Sequence, residues 1–376
     1  MRHLQLKLLR HALLPQRQFA FGIFHVAFEN TLNDKMTKIL LTGGSGFIAA
    51  HILEQLLARG HSVVTTVRSE DKAQKIRDAH KDLDASRLTV VIVPDIARED
   101  AFDEVVKTPG LEAVLHTASP FHFKWTDPKK ELIDPAVVGT TAILKALKRD
   151  APGVKRVVVT SSFASVIDEA KLEDPNTVFT EKHWNPVTVE DIHRSPATAY
   201  RASKKLAEKA AWDFVEKEKP GFDLVTVTPP LVLGPVVHHF ADLSSINTSN
   251  ERVVDLVKGK WKDAIAPTGA AYLWIDVRDL ALAHILALEK PEAGGKRLFT
   301  TAGWFSNAEI AAVVRKNFPE LKDRLPAEGT KGGELAPKNK VYGYDDSETA
   351  KILGIKWKTL EESITDLVKD IKGFGI

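Results

Sequence analysis

Tyr200 and Lys204 stand four residues apart, in Tyr200-Arg201-Ala202-Ser203-Lys204, where a helical run opens that continues to Trp212. That spacing stacks a phenol and an ammonium one turn apart on one helix face. An ammonium beside a phenol stabilises the phenolate and lowers the tyrosine pKa from its usual value of about 10. Such a tyrosine can give a proton to a carbonyl oxygen, or take one from an alcohol, near neutral pH. A Tyr and a Lys at this spacing also occur on ordinary solvated helices, so the reading depends on what lies upstream.

Three upstream features bear on it. Gly43-x-x-Gly46-x-x-Ala49 follows the apolar run 38–42 and precedes a helix-period stretch with Ile52, Leu53, Leu56 and Leu57. Between a strand and a helix, such a turn lets the backbone approach a pyrophosphate, and the helix start offers free N–H groups and a favourable dipole. The second apolar run, 63–67, ends in Arg68, with Ser69 next and Lys72 one turn on. An acid there suits the ribose hydroxyls of NAD, whereas a guanidinium suits a ribose phosphate, so the sequence favours NADP. Ser161-Ser162 ends the fifth strand, where open sheets of this kind hold their ligands. Each feature has a plainer reading: a turn without a ligand, a solvated strand-end charge, a loop start.

Apolar runs at 38–42, 63–67, 88–93, 113–118, 156–160 and 224–227 alternate with amphipathic helical stretches, one of them over 132–148. That alternation predicts an α/β fold, a doubly wound parallel sheet covered on both faces. After Pro235 the rhythm weakens. A short strand and a helix are expected around 275–288, with Asp279 as the helix cap, and a final amphipathic helix near 360–371. The expected organisation is a Rossmann nucleotide-binding domain over 37–235 plus 266–290. A smaller, irregular substrate-binding part, 236–265 plus 291–376, would fold over the carboxyl ends of the strands.

Composition narrows the function classes. With 52 Lys and Arg against 50 Asp and Glu, the net charge is +2, which argues against nucleic acid as the main partner. The 376 residues contain no cysteine, so disulfides, thiolate nucleophiles and cysteine-held metals are all excluded. No apolar run approaches the roughly 20 residues of a membrane helix. His238-His239 lacks a third ligand, and no metal is expected. Residues 1–36 carry Arg2, Lys7, Arg10 and Arg17 before the first acid, Glu29. They read as a mitochondrial presequence or as an extension outside the fold, with Met36 as a second start. The expected location is accordingly cytoplasmic, or mitochondrial if that segment is a presequence. The expected partner is a small carbonyl compound, and the expected state a monomer or homodimer.

As a set, the motifs resemble the extended short-chain dehydrogenase/reductase family, from Lys38 to Asp279 and more weakly to the end. They are the Gly43-Gly46-Ala49 turn, Thr117-Ala118-Ser119-Pro120-Phe121, Val159-Thr160-Ser161-Ser162, Tyr200-x-x-x-Lys204 and Gly234-Pro235. Val93-Pro94-Asp95-Ile96, Trp184-Asn185-Pro186, Asn247-Thr248-Ser249 and Ile275-Asp276-Val277-Arg278-Asp279 extend the likeness to fungal NADPH-dependent methylglyoxal and aldehyde reductases. Plant dihydroflavonol and cinnamoyl-CoA reductases are close kin of these. The resemblance implies NADPH as cofactor and reduction of a small aldehyde or ketone. It implies Tyr200 as general acid, Lys204 as the residue that lowers the tyrosine pKa and holds the nicotinamide ribose, and Ser162 as the hydroxyl that orients the carbonyl. Gly43, Gly46, Phe47 and Ile48 would form the cofactor turn, and Arg68 and Lys72 would bind the ribose phosphate. Asp95 and Ile96 would meet the adenine, Val232 and Ser249 would add cofactor contacts, and Phe121 and Phe163 would line the substrate pocket.

The chain departs from the family pattern in three places. Val138 stands where many relatives have Asn before Gly139-Thr140, Pro230-Leu231 carries no aromatic residue, and His238-His239 has no settled counterpart. Two other functions fit parts of the pattern. One is a nucleotide-sugar epimerase or dehydratase that uses bound NAD without net turnover, against which Arg68 counts. The other is a nucleotide-sensing regulator without catalysis, against which the intact Ser162, Tyr200 and Lys204 count.

Overall fold

Strand β1 (Lys38–Thr42) alternates its side chains between two apolar layers: Ile39 and Leu41 face one, Leu40 the other. A strand apolar on both faces belongs in the middle of a covered parallel sheet, and that is where it lies. The computed structural model describes residues 37–119, 125–237, 243, 246–269 and 271–374. They fall within one compact unit, Met36–Ile376.

In chain order, β1 leads to helix α1 (Phe47–Ala58), β2 (Ser62–Val67), α2 (Glu70–Ala79) and β3 (Leu88–Ile92). Then come β4 (Leu111–His116), α3 (Asp134–Asp150), β5 (Arg156–Thr160), the short β6 (Val178–Phe179) and the long α4 (Pro196–Glu218). Next are β7 (Asp223–Val227), β8 (Leu231–Leu233), α5 (Thr248–Val257), β9 (Leu273–Asp276) and α6 (Val277–Glu289). The chain ends with β10 (Arg297–Leu298), β11 (Gly303–Trp304), α7 (Asn307–Asn317), β12 (Gly343–Tyr344), α8 (Ser347–Leu353) and α9 (Leu360–Lys372).

Seven parallel strands form the main sheet in the order β10-β7-β5-β4-β1-β2-β3. The chain lays down β1, β2 and β3 outward, then returns to place β4 on the other side of β1. The strand order therefore reverses between β1 and β4, and a crevice opens there at the carboxyl ends. One face of the sheet packs on α1 and α6 through Ile52, Leu53, Leu56, Leu280 and Ala283. The other packs on α3 and α4 through Ile143, Leu144, Leu147 and Ala211. A separate core of Trp261, Trp274, Phe305 and Leu367 joins α5, α7 and α9 near the small β11-β9-β8 sheet.

Helix α4 matters most for function, and its start is fixed locally. Ser195 is the N-cap and its Oγ accepts from the Thr198 N–H at 3.1 Å, while Pro196 takes the first helical position. The helix thus begins before Tyr200. Two expectations change. The cap of α6 is Asp276, whose carboxylate accepts from the Arg278 N–H at 2.7 Å; Asp279 sits inside the first turn and accepts from the Lys358 N–H at 2.5 Å. The strand ends at Asp276 and the helix starts at Val277, so the cap falls three residues earlier than expected. The short strand β10 completes the main sheet, although two residues leave no periodicity to detect.

Gly44 packs against β2 with its N–H bonded to Thr66 O at 2.9 Å. A methyl group there would overlap Thr65 Oγ1, which donates to Leu41 O at 2.9 Å. Gly44→Ala should destabilise the protein by about 1–3 kcal/mol through overpacking. Calorimetry will show a lowered Tm; an unchanged Tm would mean that the β1–α1 turn is looser than described.

Candidate functional site

The carboxyl ends of β1, β4 and β5 and one face of α4 converge on a single site. Thr42 Oγ1, the last residue of β1, accepts from the backbone N–H groups of Thr117 and Ala118, both at 3.1 Å. Its own proton then points to His116 Nδ1, 2.9 Å away. Burial, helped by the Lys204 charge, pushes His116 down to about 4, so the ring is neutral and acts as an acceptor. This clamp fixes the segment after β4 against the glycine turn. Gly43 has φ of +77°, and a Cβ there would meet Ala118 atoms at 3.1–3.2 Å, so only glycine lets the two segments approach.

The same clamp sets Ser119, whose Oγ accepts from Lys204 Nζ at 2.8 Å. Among the described residues no carboxylate lies within ion-pair distance of Lys204. Burial without a counter-ion pushes its pKa down from 10.5 to about 8. The ammonium sits 5.9 Å from the centre of the Tyr200 ring. The Ser162 hydroxyl lies close enough to the Tyr200 phenol to lower its pKa as a hydrogen-bonding neighbour. The structure therefore brings Ser162, Tyr200 and Lys204 together. It corrects one expectation: burial raises the Tyr200 pKa, and the Ser162 hydrogen bond only partly opposes it. Desolvation of the half-buried phenol is the larger effect, and Lys204 Nζ gives its hydrogen bond to Ser119.

The two serines after β5 differ. Ser161 is buried, whereas Ser162 keeps accessible surface and caps the following turn by accepting from the Ala164 N–H at 3.1 Å. Helix α1 has Gly46 as its N-cap, with no side-chain cap and no acid in its first turn. The amides of Phe47 and Ile48 have no carbonyl within the helix to bond, as at any helix start, and suit an anion. Arg68, at the end of β2, is exposed, and Lys72 lies one turn along on α2. Burial and the nearby Arg68 charge lower the Lys72 pKa, as two cations awaiting an anion would. Neither has an ion-pair partner among the described residues.

The other expected residues lie as follows. Asp95 is exposed after β3, and its Oδ1 accepts from the Ala97 N–H at 2.9 Å. Ile96 packs on α3, where a Cβ on Gly139 would meet its carbonyl at 3.3 Å. Val232 is buried in β8 opposite Ile275, and Ser249 lies in the first turn of α5. Phe163, expected on the pocket wall, is 3% exposed and stacks on Phe299 at 5.1 Å in an aromatic cluster with Phe179 and Tyr342. It supports the turn after β5 from beneath. Phe121 and His238-His239 lie outside the described residues. Thr42, Ser119 and Glu208 were not singled out as site residues; Ser119 stood within a motif, but nothing local marked its hydroxyl as the partner of Lys204.

A pyrophosphate cradle closed to any Cβ, an uncapped helix start and a cation pair at the β2 end fit a phosphorylated dinucleotide. Known proteins agree with this geometry. The ketoreductase azaE of Aspergillus niger is 46% identical over 332 residues, covering 88% of this chain and 96% of its own length. The NADPH-dependent methylglyoxal reductase GRE2 of Saccharomyces cerevisiae is 38% identical over 341 residues, covering 89% and 98%. The crystal structure of yeast methylglyoxal/isovaleraldehyde reductase Gre2 complexed with NADPH matches with a TM-score of 0.81 at 36% identity, covering 90% of this chain and 99% of that one. Residues 39–300 match the model of the NAD dependent epimerase/dehydratase family, and with the fold and the converging side chains this establishes that the chain belongs to that family.

Proposed function

We propose that this protein is an NADPH-dependent reductase of small carbonyl compounds, of the size of methylglyoxal or 3-methylbutanal, with Tyr200 as the general acid. The observation that carries the reading is the grouping of Ser162 and Tyr200 beside Lys204, whose ammonium lies 5.9 Å from the phenol ring and bonds Ser119 next to the glycine turn. The reductases that this chain resembles support the cofactor and the carbonyl chemistry.

The Gly43–Ile48 turn would hold the pyrophosphate, Arg68 and Lys72 the ribose phosphate, and Lys204 the nicotinamide ribose. When bound, NADPH supplies the hydride for the carbonyl carbon. Ser162 donates a hydrogen bond to the carbonyl oxygen and fixes its position against Tyr200. Tyr200 gives its phenolic proton to that oxygen as negative charge develops on it. A raised resting pKa keeps the phenol protonated and ready to donate. Lys204, charged below about pH 8, stabilises the phenolate that remains.

NADPH oxidation should be followed against a panel of methylglyoxal, 3-methylbutanal, a cinnamoyl thioester and a dihydroflavonol. Turnover with the small aldehydes supports the proposal. Tightly bound NAD with no net NADPH oxidation would contradict it. Tyr200→Phe keeps the ring and removes the proton; kcat should fall by about 10²–10⁴-fold while NADPH affinity holds. Retention of wild-type kcat would rule out the phenol as the acid. Arg68→Ala should raise KM for NADPH by roughly 10–100-fold, the worth of a charged hydrogen bond, and leave KM for NADH unchanged. Equal effects on both cofactors would remove Arg68 from phosphate recognition.

A further inference from the structure

Glu208 lies on the same face of α4 as Tyr200 and Lys204, one turn beyond Lys204, and its side chain is fully buried. Burial alone would raise its pKa, yet the Arg297 guanidinium and the serine hydroxyls hold it below the usual carboxylate range. Arg297 Nε donates to Glu208 Oε1 at 2.7 Å. Thr226 of β7 donates to Oε1 at 2.8 Å, and Ser161 Oγ donates to Oε2 at 2.6 Å. Ser165 Oγ also hydrogen-bonds Oε2 and lies 2.7 Å from the Ser162 carbonyl oxygen. One carboxylate therefore grips both ends of the turn 161–165, which presents Ser162 to Tyr200.

Arg297 holds the same turn from the far side. Its Nη1 donates to the carbonyls of Glu181 and His183, both at 2.6 Å, and its guanidinium lies 3.8 Å over the Trp184 ring. The next residue, Asn185, is buried and returns to the turn. Its backbone N–H donates to Ser165 O at 2.8 Å and its Nδ2 to Ala164 O at 2.9 Å. The turn is held between Glu208 on one side and Asn185 on the other, and the ion pair joins the two arms.

We propose that the Glu208–Arg297 pair is a positioning device for Ser162, transmitted through Ser161 and Ser165 on one side and Trp184-Asn185 on the other. The proposal rests on the reading of Ser162 given above. A buried ion pair is weak as a source of stability, because desolvation offsets the attraction. Its value here is geometric, since a displacement of about 1 Å in a substrate-orienting group can lower turnover by about 10²-fold. No atom of Glu208 needs to touch substrate.

The test is a double-mutant cycle read in kcat with a small aldehyde, in NADPH affinity and in Tm. Ser165→Ala removes one of the two serine links to the turn and leaves the ion pair and Ser161 in place. It should lower kcat by about 10-fold, keep NADPH affinity within about 2-fold, and lose its effect in a Ser162→Ala background. Ser165→Thr, which restores the hydroxyl, should recover most of the turnover. Glu208→Gln should behave as Ser165→Ala does, with a larger loss; if it fails to fold, Ser161→Ala takes its place. Ser165→Ala with wild-type kcat, or with the same fractional loss whether or not Ser162 is present, would overturn the proposal alone. A Ser162→Ala enzyme with wild-type turnover would overturn the reading of Ser162 and the proposal with it.

Discussion

A cation with no anion among the described residues is the constraint on which this site depends. Lys204 is half-buried at the crevice, and its Nζ donates to a neutral hydroxyl, Ser119 Oγ at 2.8 Å. A desolvated charge of this kind is unfavourable, as its lowered pKa records. Such arrangements persist where function needs them, because the missing partner is supplied by ligand or by charge that develops in the reaction. On the function proposed above, the ammonium would meet the phenolate of Tyr200 and the hydroxyls of a ribose. The same enclosure raises the phenol, so in the resting site both groups stand protonated: a donor beside a cation.

Holding that arrangement takes much of the surrounding structure. Thr42 bonds the backbone of Thr117 and Ala118, which sets both the wall that Gly43 approaches and the hydroxyl that Lys204 uses. One threonine at the end of β1 thus links the glycine turn to Lys204. On the other side, α4 carries Tyr200, Lys204 and Glu208 at successive turns, and Glu208 ties the helix to β7, β10 and the turn after β5. The reversal of strand order between β1 and β4 is what places these supports around one crevice.

Much of this was legible in the sequence because it is written locally. Apolar runs of five or six residues mark β1, β2 and β5, and the glycines and the Tyr200–Lys204 spacing carry their geometry within a single turn or helix. What was hidden depends on partners far apart in the chain. Glu208 and Arg297 are separated by 89 residues, and Lys204 and Ser119 by 85. Nothing near Ser161 and Ser162 says that the first is buried on a carboxylate and the second open to the crevice. The direction of the Tyr200 pKa was misjudged for the same reason. Spacing reveals the neighbouring charge, but burial is a property of the whole fold.

The central claim is that Lys204 works as a desolvated ammonium. Its pKa in the folded protein lies near 8, below the usual 10.5, so the charge is present below that pH and is lost above it. The most direct measurement is kcat/KM for NADPH as a function of pH, which reports groups of the free enzyme. The account predicts a decline that sets in near pH 8 and is absent from Lys204→Met, whose activity is low throughout. A profile that stays level up to about pH 10, where an ordinary lysine begins to titrate, would contradict it.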